Sequence, residues 1–139
     1  MAGKNKALGG GGFHHVAVKV ADFDAAVKFY TETLGFRPDI SWGEGDKRAV
    51  MLDTGDGSCL EVFAGGKAGA KPEGALIHLA LRTGDCDAAL ARARAAGAEV
   101  TMEPTDVDIA VHKRKPLPVR IAFCRGPAGE ILEFFQSRK

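Results

Sequence analysis

Two histidines and two glutamates recur in this chain at matching places. His15 opens the string HVAVKVADFDAAV, and His78 opens HLALRTGDCDAAL 63 residues further on. Glu61 lies in DGSCLEVF (residues 56–63) and Glu133 in AGEILEFF (residues 128–135), 72 residues apart. Two neutral imidazoles and two carboxylates suit a borderline divalent cation, with positions left for water or a substrate. Ni²⁺, Zn²⁺, Co²⁺, Mn²⁺ and Fe²⁺ all fit such a set. The bland alternative is charge pairing, because Lys19 and Arg82 also recur, each four residues past its histidine. A buried carboxylate without a partner is expensive, so one of the two must hold. Repetition of the whole pattern favours the metal.

The elements that must position these groups repeat as well. VAVKV is a short alternating strand rich in β-branched residues. Asp22 is a predicted N-cap, followed by a helix with Phe23, Ala26, Val27, Tyr30 and Leu34 on one face and a stop at Gly35. In the second half Asp85 caps, Ala89, Leu90 and Ala93 form the apolar face, and Gly97 stops the helix. Strands are predicted after the first helix at residues 37–40, 47–52 and 58–63, and after the second at 99–102, 119–124 and 130–136. The turns TGDG and GPAG punctuate them. The unit is βαβββ, twice, an α+β fold whose two modules curve into an incomplete barrel sheet around a cleft. The predicted divisions are a Gly-rich leader (1–12), a first module (13–64), a linker GGKAGAKPEG (65–74) and a second module (75–137), together one domain. The second half is longer by nine residues between its matched strings. That excess falls in TDVDIAVHKRKPLPVR (105–120), which reads as a loop or lid.

Strand alternation assigns faces. His15, Ala17 and Lys19 share one face, and the valines of the same strand should lie under the helix. His78, Ala80 and Arg82 match them. Cys59, Glu61 and Phe63 face the same cleft, as do Ile131, Glu133 and Phe135. His14 points the other way. Cys59 is expected to be a packing residue.

A chain of 139 residues, 45% hydrophobic, with a formal charge of +1 shows no basic excess for nucleic acid or a membrane surface. No apolar run approaches the length of a bilayer span. The leader lacks an apolar segment and is not expected to be a secretory signal. Cys59, Cys86 and Cys124 are odd in number and form no CxxC pair, which predicts reduced thiols in a cytoplasmic protein.

The opening HHVAVKVADFDAAVKFYTETLGF, the closing GPAGEILEFFQ and the doubled βαβββ unit resemble the vicinal oxygen chelate superfamily over residues 13–136. This resemblance implies metal ligands from the first and last strands of each module: His15, Glu61, His78 and Glu133. It also implies a homodimer, with each site formed within one chain or across two. The four ligands resemble bacterial glyoxalase I most. There the metal stabilises the enediolate formed from a hemithioacetal of a 2-oxoaldehyde and glutathione. Glu133 would be the base and Glu61 its symmetric partner, the two catalytic residues. Lys19 stands where some glyoxalases bind a thiol cofactor through arginine, and Arg82 is its repeat. Trp42, in SWGEG, is a candidate wall at the rim. Lys113, Arg114 and Lys115, in HKRKP, could grip an anionic tail or form a solvated loop. The chain differs from glyoxalase I where Glu61 is followed by VFAGG and where Gly74 stands four residues before His78. Related epimerases usually carry Gln at the first carboxylate position, whereas dioxygenases and thiol transferases use two His and one Glu. Sequestering proteins of the bleomycin-resistance type lack the ligands.

Overall fold

In a computed structural model, described for residues 13, 15–69, 78–111 and 115–139, both predicted N-caps are in place. Asp22 accepts a hydrogen bond from the Ala25 amide and Asp85 one from the Ala88 amide, each at 3.0 Å. Such a cap supplies the acceptor that a helix start lacks and stabilises by about 1 kcal/mol. The helices they begin are α1 (Phe23–Lys28) and α2 (Cys86–Ala95).

The first helix does not run on as α-helix to Leu34. It widens into a π-helical turn at Phe29–Thr33, where the Leu34 amide donates to the carbonyl of Phe29 at 3.3 Å. Thr31 contributes by donating its hydroxyl to the Val27 carbonyl, a local bond that competes with the helical ladder. The wider turn brings both Phe29 and Tyr30 into the core, and Phe29 was not among the predicted face residues.

The first sheet is built from β1 (His15–Lys19), β2 (Arg37–Trp42), β3 (Ala49–Asp53) and β4 (Cys59–Phe63), in the order β1-β4-β3-β2. The second is built from β5 (Leu79–Arg82), β6 (Val100–Ile109), β7 (Leu117–Arg125) and β8 (Ile131–Ser137), in the order β5-β8-β7-β6. The repeat is therefore realised strand for strand, with one parallel pair per sheet. These are two separate four-stranded sheets, not closed into a barrel. A 3-10 turn at Gly45–Lys47 takes the place of the predicted start of β3.

Residues 105–120 correct an expectation. They are largely strand: β6 and β7 extend as a long hairpin pairing Thr105 with Ile121 and Ile109 with Leu117. Alternation explains why, since Thr105, Val107 and Ile109 occupy one face and Asp106 and Asp108 the other. On that second face Arg120 binds both carboxylate oxygens of Asp87 on α2, at 2.6 and 2.9 Å, and Asp106 at 2.9 Å. Arg138 reaches Asp106 and Asp108 as well. His112, Lys113 and Arg114 lie outside the described residues, as does His14.

One continuous apolar core underlies both sheets. Ala26, Tyr30, Phe36, Leu52, Leu60 and Val62 of the first half join Leu90, Ala93, Ala122, Cys124, Leu132 and Phe134 of the second. Among the described residues no helix is long and apolar enough to cross a membrane. The three cysteines are free and buried.

Candidate metal centre

Strand register builds the same half-site twice. Ala17 lies beside Glu61 in the β1–β4 pair, and Ala80 lies beside Glu133 in the β5–β8 pair. The small side chain leaves room over each carboxylate, and the histidine two residues earlier reaches across to it. His15 Nε2 stands 3.4 Å from Glu61 Oε2, and His78 Nε2 stands 3.0 Å from Glu133 Oε2. The glutamates are 8% and 7% exposed, whereas the histidines are open to solvent. Desolvation pushes the Glu133 carboxyl above the ordinary glutamate value, against the opposing pull of His78.

Charge pairing with Lys19 and Arg82 does not account for the glutamates. Each glutamate is partnered by its own module's histidine, and both cations point from exposed positions next to Phe63 and Phe135 in register. The predicted sharing of a face is thus realised within each module. The gathering of all four ligands is not. Among the described residues no three His, Cys, Asp or Glu side chains form a ligand group. One chain offers two half-sites of two donors each, on separate sheets.

The walls of the half-sites differ. Phe123, directly across from Glu133, meets the His78 ring edge-on at 5.7 Å between centroids. The corresponding place opposite Glu61 is taken by Met51. Neither residue was singled out beforehand, although Phe123 belonged to a predicted strand and had the alternation of an inward position. Trp42 is 42% exposed and sits edge-on to Phe63 at 6.2 Å. Lys115 is exposed ahead of β7. Burial, reinforced by the charge of Asp53, raises the Cys59 thiol above its ordinary value. A separate cleft of about 410 Å³ opens between Phe29, the end of α2 and the β7–β8 turn. It holds Glu99 and Arg125, which face each other at 3.5 Å, and none of the four candidate ligands.

The fold and these paired donors define a class of protein, and residues 12–134 match the family model of the Glyoxalase/Bleomycin resistance protein/Dioxygenase superfamily. The chain belongs to that family. It is 28% identical over 132 residues to a protein of Vibrio parahaemolyticus named "Probable lactoylglutathione lyase", covering 90% of each. Its structure is similar to trypanothione-dependent glyoxalase I of Leishmania major (TM-score 0.65, 25% identity, 89% of this chain and 85% of that one). It is likewise similar to TnmS3, an antibiotic-binding protein of Streptomyces (TM-score 0.62, 26% identity, 91% and 96%).

Proposed function

We propose that this chain is a divalent-metal-dependent lyase of the glyoxalase type. Its substrate would be the hemithioacetal of a 2-oxoaldehyde and a thiol such as glutathione, and its reaction a proton shift between adjacent carbons. The observation that carries this reading is the His–Glu pair that recurs in both sheets. His15, Glu61, His78 and Glu133 would hold the ion, a borderline divalent cation of the set nickel, zinc, cobalt, manganese and iron. When bound, a divalent cation supplies the Lewis acidity that lets a carboxylate remove a carbon-bound proton.

The chain's own groups would do the rest. Glu133 takes the proton from one carbon and returns it to the next. Its burial supports the role, because a desolvated carboxylate is a stronger base once ionised. Glu61 occupies the symmetric place as second ligand and partner. The alanines leave the substrate access to both. Since one chain keeps its two half-sites on separate sheets, each complete centre would combine the first module of one protomer with the second module of its partner in a homodimer.

The test is metal analysis together with turnover of methylglyoxal plus glutathione. Wild type should carry metal and activity, and Glu133→Gln should lose the activity. Full activity in Glu133→Gln would remove the proposed base. A second reading, sequestration of a small molecule without turnover, draws on the likeness to TnmS3 and on the exposed Trp42 beside Phe63. Tight ligand binding by a metal-free, inactive wild type would favour it.

A further inference from the structure

We infer that Phe123 is a positioning residue. Its ring holds the imidazole of His78 in the orientation that offers Nε2, together with the Glu133 carboxylate, to a divalent cation. The assignment rests on the proposed metal centre and adds a residue outside its four donors.

Strand register brings the groups together. Ala80, Glu133 and Phe123 lie side by side across β5, β8 and β7, so their side chains rise from one face of the sheet. His78 stands two residues before Ala80 and projects onto the same face. Its Nε2 lies 3.0 Å from Glu133 Oε2, and its ring meets the Phe123 ring at 5.7 Å between centroids and 77° between planes. The imidazole is thereby held twice, by a carboxylate at one nitrogen and by an aromatic ring beside it.

The second hold is needed because His78 lies just ahead of β5, with 35% of its side chain open to solvent. A single contact at Nε2 leaves the ring other rotamers, and these must be given up when a cation binds. Ligating imidazoles ordinarily take their orientation from a hydrogen bond at the second ring nitrogen. Among the described residues, the contacts of the His78 ring are Glu133 and Phe123. A near-perpendicular aromatic pair has a preferred geometry, so Phe123 restricts the tilt of the imidazole as well as its place. The other half-site supplies the comparison. Met51 stands opposite Glu61 there, and its flexible thioether chain has no ring plane with which to fix a neighbour.

Zinc affinity and the motion of the His78 ring test this separately. Phe123→Met copies the residue of the other half-site, Phe123→Leu keeps an apolar side chain without a ring, and Phe123→Tyr keeps the ring. Zn²⁺ titrated calorimetrically into metal-free protein should bind Phe123→Met and Phe123→Leu about two- to tenfold more weakly than wild type, and Phe123→Tyr as tightly. In the metal-free state, NMR relaxation of the His78 ring carbons should give a lower order parameter in Phe123→Met and Phe123→Leu and an unchanged one in Phe123→Tyr. The ring of His15 should be unaffected throughout. A residue that only fills space would change the melting temperature and leave the His78 order parameter alone. Melting curves report which variants are folded, and one folded variant without the ring suffices. Zinc affinity that survives loss of the ring, an equal loss in Phe123→Tyr, or a His78 ring no more mobile without Phe123 overturns the assignment and leaves the centre standing. A wild type that binds no zinc removes the centre, and the role of Phe123 falls with it.

Discussion

The buried hydroxyl of Tyr30 donates to the carboxylate of Glu130, joining the two halves of the chain across 100 residues of sequence. Tyr30 lies in the π-helical turn, stacked on Phe36, and Glu130 also accepts from the Ala128 amide at 2.7 Å. Burial, reinforced by the Glu130 charge, raises the Tyr30 pKa well above its ordinary value, so the donor keeps its proton at neutral pH. Tyr30→Phe leaves the ring packing and removes this bond. It should lower stability by about 1–3 kcal/mol, seen as a lower denaturant midpoint at unchanged slope. An unchanged midpoint would mean that this bond contributes nothing net to joining the halves.

Glu133 should carry a stability cost in the metal-free protein. Its folded pKa is raised, so its contribution is most favourable below the unfolded value and is lost as pH rises through the folded one. Glu133→Gln should therefore melt higher than wild type at neutral pH in the presence of chelator, with the two curves converging below about pH 4. The same variant should lose activity. A lower melting temperature across the whole range would contradict the desolvation argument.

Asp53 has the opposite sign. One carboxylate oxygen accepts from the Gly55 amide at 2.7 Å and the Gly57 amide at 3.2 Å, and the other from Arg37 at 2.9 Å. The backbone bonds, then Arg37, hold its pKa below the ordinary aspartate value. Its stabilisation is present above the unfolded pKa and is lost as pH falls through the folded one. Asp53→Ala should lower the melting temperature at pH 7, and the difference should shrink in acid below about pH 4. A gap independent of pH would point to turn propensity alone.

Mixing two dead variants tests the proposed assembly. His15→Ala/Glu61→Gln removes the first half-site and His78→Ala/Glu133→Gln the second. In a dimer with shared centres, each mixed dimer regains one intact centre. Random exchange should therefore restore about a quarter of wild-type metal and activity. Centres formed within single chains would give no recovery.

Much of this arrangement was legible because a strand has a period of two. Knowing that His15, Ala17 and Lys19 share a face, and that Glu61 and Glu133 face the same way, requires only alternation, and the register of β1 with β4 and β5 with β8 agrees. Asp22 and Asp85 were readable as caps for an equally local reason. The extended hairpin was obscured because Pro104, Pro116, Pro118 and the basic run at 112–116 look like loop chemistry. Yet Thr105, Val107 and Ile109 alternating with Asp106 and Asp108 already carried the strand signal. The π-turn depends on a bond from Thr31 to Val27 that spacing does not announce. Whether the two half-sites meet could not be read at all, since that is set by how whole sheets are placed and not by any local pattern.

The long hairpin is fastened to α2 through charge, with Arg120 shared between Asp87 and Asp106 and Arg138 bound beyond it. Exposed pairs of this kind are weakened by dissolved ions, whereas an apolar interior is not. Brine should consequently slacken this end of the molecule while the oily ground beneath both sheets holds, so that the two regions respond differently to the same medium.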